Sequence, residues 1–549
     1  MDLFHRLCRG VVATAVSTML LSISGNASAL TASGTTFVPT ANGTLQCGAS
    51  AGQTTCLGVP YAAPPVGALR FKAPAAPQSW SGSLDATQLR SACIQAKTAY
   101  VATQYGAEDC LYLNVYKPAS ANGSLPVMVW FHGGGFINGS GNAFNGAYLA
   151  QTANAIVITV NYRLGPFGWL ALSSLAAEAP DGSTGNYGLL DQIAALKWVK
   201  TNISNLGGDP QRVTIVGQSA GGESVLALLA SPYASGLFQR AISMSAPSSL
   251  GLPTVAQSAA MRTSFLAQLG CTDTTTQPAC LRNAGAQQVL NAANESWDLI
   301  GQLGLSWTPT IDGAVQPQQW VDAFRTGNFN RMPVLMGHTK AEGNLFTAIH
   351  DNAIGHAMTE TEVLATANAF FGPAETLVTL QYPANAYATP GDQLSAVITD
   401  AMFAAGLTEH GNALALHVPV YAYQTCDPNA PESHIHALYS TVGCGHDSDV
   451  AYLFQWDDYS GQQPAFTTAQ QNLALQIGKY WGNFAATGNP NGFGMVNWPQ
   501  YVPAIATVQQ LQPANYGGIT TMPVGSYVSS HKDLFWSTLL PLKSLLPTP

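Results

Sequence analysis

Three short apolar runs punctuate the chain: 125–131 (LPVMVWF), 155–160 (AIVITV) and 212–216 (RVTIV). None alternates cleanly between apolar and polar residues, as a half-exposed strand would, so each is predicted to be a strand buried on both faces. Between the last two, Leu189, Ile193, Leu196 and Val199 recur at helical spacing, which predicts an amphipathic crossover helix over 188–202. A run of small and apolar residues over 220–230 predicts another helix directly after the third strand. Strands alternating with helices imply an α/β architecture, a large and mostly parallel central sheet covered on both sides. Strand twist makes its crossovers right-handed. No Pro- or Ser-rich linker and no internal repeat divides the chain, so residues 30–549 are read as one domain.

The first 29 residues read differently. His5, Arg6 and Arg9 precede an apolar run over 10–23, and Ala27, Ser28 and Ala29 follow as small residues suited to cleavage. That order is the one found in secretory signal peptides, and the run is shorter than the roughly 18–20 residues a membrane span needs. The expected location is therefore outside the cytoplasm, extracellular or periplasmic, with no stable membrane anchor. Beyond the signal lie eight cysteines, Cys47, Cys56, Cys93, Cys110, Cys271, Cys280, Cys426 and Cys444, grouped as four close pairs. An even count in an exported protein reads as disulfides. Eight cysteines allow 105 connectivities. Pairing of neighbours is the simplest, because short loops cost least to close.

Composition removes several function classes. Charged residues make up 9% of the 549 positions and hydrophobic ones 47%, the reverse of a disordered polyelectrolyte. With 20 Lys and Arg against 29 Asp and Glu the net charge is −9, which argues against a partner rich in phosphate such as a nucleic acid. His434 and His436 invite a metal reading, but no second ligand set stands at a zinc-like spacing, so they are read as loop residues.

Chemistry begins at Gly217-Gln218-Ser219-Ala220-Gly221, a G-x-S-x-G placed between a predicted buried strand and a predicted helix. This is the context of a nucleophile elbow, a tight turn that lifts the serine out of the chain's path. A second segment, His132-Gly133-Gly134-Gly135-Phe136, follows the 125–131 strand. Its glycines leave backbone N–H groups unshielded, able with the N–H of Ala220 to hold a developing oxyanion. His132 is expected to brace this loop, and Trp130 to lie in the core.

With these segments in view, the chain resembles the type-B carboxylesterases, the α/β-hydrolase family that includes cholinesterases and fungal lipases. The likeness runs through Gly58-Val59-Pro60-Tyr61-Ala62, Glu108-Asp109-Cys110-Leu111-Tyr112-Leu113-Asn114, Asn161-Tyr162-Arg163, Gly207-Gly208-Asp209-Pro210 and Tyr480-Trp481 with Asn483-Phe484-Ala485. The resemblance implies a Ser-Glu-His triad without a cofactor. Ser219 would be the nucleophile, Glu342 (in Gly337-His338-Thr339-Lys340-Ala341-Glu342-Gly343) the acid, and His446 (in Gly443-Cys444-Gly445-His446-Asp447-Ser448-Asp449) the base. It further implies oxyanion donors at Gly134, Gly135 and Ala220. Supporting residues behind the triad would be Gln218, Ser245 and Asp449, with a buried pair of Arg70 and Glu108. Two of the disulfides, Cys93–Cys110 and Cys271–Cys280, match the family. Cys47–Cys56 and Cys426–Cys444 go beyond it, and the latter would tether the histidine loop.

Departures from the family bear on substrate. Gln218 stands where Glu is usual, which removes a negative charge beside the nucleophile. The loop between Cys93 and Cys110 is short and carries Tyr100 and Tyr105 but no Trp, so the cation–π platform of a cholinesterase is missing and the cleft mouth is expected to be open. Leu303, Leu305 and Trp307, before Thr308-Pro309, are the expected acyl-pocket segment. The expected partner is a small-molecule ester, the same chemistry extending to polyester-like or lipid substrates. A non-catalytic, cholinesterase-like recognition protein is the alternative class, but such proteins typically lack triad members. Activity should fall on the acid side as His446 protonates, near about 6.5 if unperturbed. The sequence carries no mark of an oligomeric state.

Overall fold

The apolar runs all form strands, and they assemble into one large sheet. The structure is a computed structural model describing residues 34–96, 105–119, 123–294, 296, 298–301, 306–431, 435–455 and 465–541. The signal segment, His434, Leu303, Leu305 and Tyr100 lie outside the described residues. The strands are β1 (Gly34–Thr40), β2 (Gly43–Ser50), β3 (Gln53–Pro60), β4 (Ser83–Ala86), β5 (Tyr112–Lys117), β6 (Leu125–Phe131), β7 (Ile156–Val160), β8 (Gly208–Gln218), β9 (Arg240–Met244), β10 (Val334–Thr339), β11 (Val420–Thr425), β12 (Gln509–Leu511) and β13 (Thr520–Thr521). Their spatial order is β1-β2-β3-β5-β7-β6-β8-β9-β10-β11-β12-β13, with β4 beside β2.

From β7 to β12 every neighbouring pair is parallel. The N-terminal portion departs from the mostly parallel expectation: β1 to β2, β2 to β3, β3 to β5 and β5 to β7 are antiparallel. For the first two pairs the reason is local. Only Ala41 and Asn42 separate β1 from β2, and Ala51 and Gly52, both at positive φ, separate β2 from β3. Two-residue turns of this kind reverse the chain, whereas a parallel neighbour needs a crossover of a dozen residues or more.

Burial on both faces holds for the central strands. Every residue of β6 and β7 is buried. Along β6, Val127, Val129 and Phe131 enter one core while Met128 and Trp130 enter the other. Trp130 packs there on Phe144 and Phe454, at ring distances of 5.3 and 4.7 Å, away from any cleft. The crossover helix, Tyr187–Asn202, corrects the amphipathic reading. Lys197 and Thr201 are its only exposed residues, and the helices Gly165–Trp169 and Ala220–Ala230 both pack on it. Its Asp191 is fully buried and receives Arg163 through two 2.7 Å hydrogen bonds. Arg70 and Glu108 form a similar two-pronged pair at 2.7 Å.

All eight cysteines are bonded to their neighbours: Cys47–Cys56, Cys93–Cys110, Cys271–Cys280 and Cys426–Cys444. Among the described residues no helix is long and apolar enough to cross a membrane.

Candidate active site

Parallel strands deliver their C-terminal ends to one edge of a sheet, and that edge is where α/β folds place their sites. The segment after β6 carries Gly134 and Gly135, β8 runs into Ser219, β9 into Ser245, β10 into Glu342, and the chain after β11 returns with His446. β10 and β11 pair in parallel register from Val334 opposite Val420 to Thr339 opposite Thr425. This adjacency brings together two residues 104 positions apart.

Ser219 sits at φ 59°, ψ −126°, a conformation costly for any residue with a Cβ and persisting only where the surroundings impose it. They do so by close approach. A Cβ at Gly217 would stand 2.2 Å from the carbonyl oxygen of Gly221, and one at Gly221 would stand 2.0 Å from that of Phe131. The elbow is therefore pressed against the end of β6, which brings the start of the helix Ala220–Ala230 beside the glycine loop. Gly134 and Gly135 adopt φ of 106° and 59°. The backbone N–H groups of Gly134, Gly135 and Ala220 donate to no other described residue, and all three residues line one cavity with Ser219 and His446.

His132 braces this loop as expected. Its Nδ1 lies 2.7 Å from the carbonyl oxygen of Gly133, its ring stacks on Tyr162 at 4.4 Å, and the Tyr162 hydroxyl donates to its carbonyl oxygen at 2.7 Å. Burial pushes His132 down to about 4, so it is neutral at physiological pH.

His446 Nδ1 contacts Glu342 Oε2, while Glu342 Oε1 accepts the backbone N–H of Thr339 at 2.6 Å. Both side chains are buried. Burial alone pushes the Glu342 carboxyl up, but His446 above all, with His338 and the Ser245 hydroxyl, holds it below the usual carboxylate range. Burial pushes His446 down, and the Glu342 carboxylate, aided by Asp447 and Asp449, outweighs this, so it lies above 6.5. The unperturbed value assumed from sequence is thus too low. Asp449 is pushed up to about 7, first by burial and then by Glu342 and Asp447, and accepts the Tyr423 hydroxyl at 3.1 Å. Ser245, at φ 47°, donates its N–H to the Gly337 carbonyl at 2.7 Å and so joins the end of β9 to β10.

Gln218, expected behind the triad, stands directly against His446. His446 Nε2 lies 3.2 Å from Gln218 Nε2, and no hydrogen bond joins it to Ser219 Oγ.

Beyond the polar edge the cavity wall is apolar. Leu299, Ile300, Phe346 and Phe371 contribute, as do Leu394 and Ile398 of the helix Pro390–Ile398 and Ala401 and Met402 of the π-helical turn Thr399–Ala404. Trp307 does not line it. It is buried between Phe265, at a ring distance of 5.7 Å, and the Arg262 guanidinium, 3.8 Å over its ring. The acyl-pocket reading of Trp307 is corrected accordingly: an indole with an aromatic and a cation to pack on gains more in the core than at a solvated wall. Most of the wall residues sequence reasoning missed, Phe346, Phe371, Leu394, Ile398, Ala401 and Met402, stand on helices, where an apolar residue facing a cavity follows the same periodicity as one facing the core.

A protein-family model, that of the carboxylesterase family, matches residues 35–531. The chain belongs to this family. As a carboxylesterase it is a carboxylic ester hydrolase on the α/β-hydrolase fold. It is 37% identical over 459 residues to the para-nitrobenzyl esterase of Bacillus subtilis, covering 81% of this chain and 88% of that protein. To the human cocaine esterase it is 33% identical over 531 residues, covering 90% and 89%. A solved structure of a PNB esterase superposes with a TM-score of 0.76 at 33% identity, covering 91% of this chain and 99% of that one.

Proposed function

We propose that this carboxylesterase is a secreted enzyme that works through Ser219, His446 and Glu342, with Gly134, Gly135 and Ala220 as oxyanion donors. The observation that carries the reading is the shared cavity: a buried carboxylate on the far side of an imidazole, a serine in an elbow, and three unpaired N–H groups open onto one space. In the reaction His446 Nε2 takes the proton of Ser219 as Oγ bonds to the ester carbonyl carbon. The carbonyl π electrons move to oxygen, where the N–H groups receive the charge. Each such donor is worth about 3–4 kcal/mol of transition-state binding. Glu342 remains ionised, fixes the Nδ1–H tautomer and stabilises the imidazolium. Collapse breaks the bond to the alcohol oxygen, which takes the Nε2 proton, and water repeats the sequence on the acyl-enzyme.

The apolar wall fits esters with an apolar or aromatic group, and the similar Bacillus subtilis protein is a para-nitrobenzyl esterase. Gln218 adds no charge that would draw a cation. Export is supported by the four disulfides and the segment 1–29. The test is hydrolysis of p-nitrophenyl esters of rising acyl length by wild type and Ser219→Ala. Turnover lost in the variant supports the reading, and turnover retained refutes it. N-terminal sequencing of the exported protein, starting at Leu30, tests the export reading.

A further inference from the structure

We propose that Gln218 is a positioning residue for the base: its carboxamide holds His446 Nε2 as a proton acceptor in the resting enzyme and, turned over, accepts the Nε2–H of the imidazolium. The inference rests on Ser219, His446 and Glu342 being the triad.

The contact is built rather than incidental. Gln218 is 2% exposed and its amide nitrogen lies 3.2 Å from His446 Nε2. On its other side the carboxamide lies against the glycine loop. A Cβ at Gly133 would fall 2.8 Å from Gln218 Oε1, which places the carboxamide oxygen directly beside the loop. The group thus lies between the oxyanion loop and the base, and rotation of the carboxamide about its own axis exchanges the end that faces each.

A carboxamide carries both a donor and an acceptor, and a carboxylate only acceptors. With Nδ1–H directed to Glu342, neutral His446 presents a lone pair at Nε2. An NH2 group satisfies that lone pair in the resting enzyme, leaves the ring unprotonated, and gives the lone pair up to the Ser219 hydroxyl for the proton transfer. A carboxylate in the same place finds no proton to accept until the ring takes a second one, so it draws the resting histidine toward imidazolium. The rest of the surroundings already pull that way. Glu342 faces the ring from the turn after β10, and Asp447 and Asp449 from its own loop. Two apolar rings, Phe346 and Phe403, also stand against it, at 5.0 and 5.2 Å. Gln218 is the neutral polar wall of this acidic enclosure. When the Ser219 proton reaches Nε2, the carboxamide oxygen becomes the useful end, and it holds the N–H until the leaving alcohol oxygen takes the proton.

The experiment compares the pH profiles of kcat/KM for wild type, Gln218→Glu and Gln218→Met, with Ser219→Ala alongside. A carboxylate this close raises the acid-limb midpoint of Gln218→Glu by about one to three pH units, so its loss of activity is at least about tenfold larger at pH 6 than at pH 9. Gln218→Met, which keeps the shape and loses both hydrogen bonds, is slower at all pH values with no upward displacement of the limb. A Gln218→Glu limb coincident with wild type overturns the proposal, as does an equal upward displacement in Gln218→Met. Hydrolysis retained by Ser219→Ala would instead overturn the triad, whatever the Gln218 variants do.

Discussion

Gly221 is the point where the proposed nucleophile and the proposed oxyanion loop depend on one another, and Gly221→Ala tests that dependence. The added Cβ would stand 2.0 Å from the carbonyl oxygen of Phe131 and 2.8 Å from that of His132, whereas side-chain carbons essentially never approach within 3.0 Å. Phe131 cannot yield. It ends a strand buried along its whole length and hydrogen-bonded to β7 on one side and β8 on the other. The start of the helix must therefore retreat by about 1 Å, taking Ala220 with it. A displacement of that size between reacting groups costs on the order of 10²-fold in rate. Overpacking of a rigid site costs about 1–3 kcal/mol in stability as well. The assay is kcat and KM for a p-nitrophenyl ester together with thermal unfolding. Gly391→Ala is the control, since a Cβ there meets only Thr389 Oγ1, at 3.7 Å. The expected result is a hundredfold-scale loss of kcat and a lowered Tm for Gly221→Ala, with neither in the control. Wild-type kcat in Gly221→Ala would refute the claim that this contact sets the oxyanion geometry.

Three further outcomes are expected. Because His446 lies above 6.5, its base form is lost as pH falls through that raised value, so the acid limb of kcat/KM has its midpoint above 6.5; a pH-rate profile centred at or below 6.5 contradicts this. Asp191→Asn leaves the Arg163 guanidinium buried without its anion and lowers unfolding stability by about 3–5 kcal/mol, read by urea denaturation. Ala401→Phe thickens the apolar wall and lowers kcat/KM for long acyl chains more than for acetate, and an unchanged chain-length profile would remove the π-helical turn from the substrate path.

How far the sequence discloses the site depends on whether a feature is local. The strand over 125–131 and the elbow at Ser219 are written in consecutive residues, and the structure has both where those residues predict them. Glu342 and His446 are separated by more than a hundred residues, and the family resemblance alone singles them out. Trp307 was misread because an aromatic before a Pro looks alike whether it lines a cleft or packs on Phe265 and Arg262. The contact of Gln218 with His446 was invisible for a different reason. Its residue type marks a missing charge, but only the backbone turn at Ser219 decides where the carboxamide goes.

The antiparallel part of the sheet makes the same distinction in the fold. Its first three strands are joined by two-residue turns, and none of the proposed catalytic or oxyanion residues directly follows a strand of this part. Each of those residues follows a strand of the parallel block: Gly134 and Gly135 after β6, Ser219 and Ala220 after β8, Glu342 after β10 and His446 beyond β11. Antiparallel neighbours send alternate ends to opposite edges, so groups placed after them would be split between two sides of the sheet. Parallel neighbours bring every end to one edge. Their crossovers also leave long segments between strands, and these supply the apolar wall, from Leu299 to Met402, without disturbing the register beneath. The N-terminal strands extend the sheet and give the block a covered neighbour at β7, where β5 pairs with it. The catalytic geometry therefore depends on the parallel register from β6 to β11, and substrate preference on the helices that its crossovers leave free to vary.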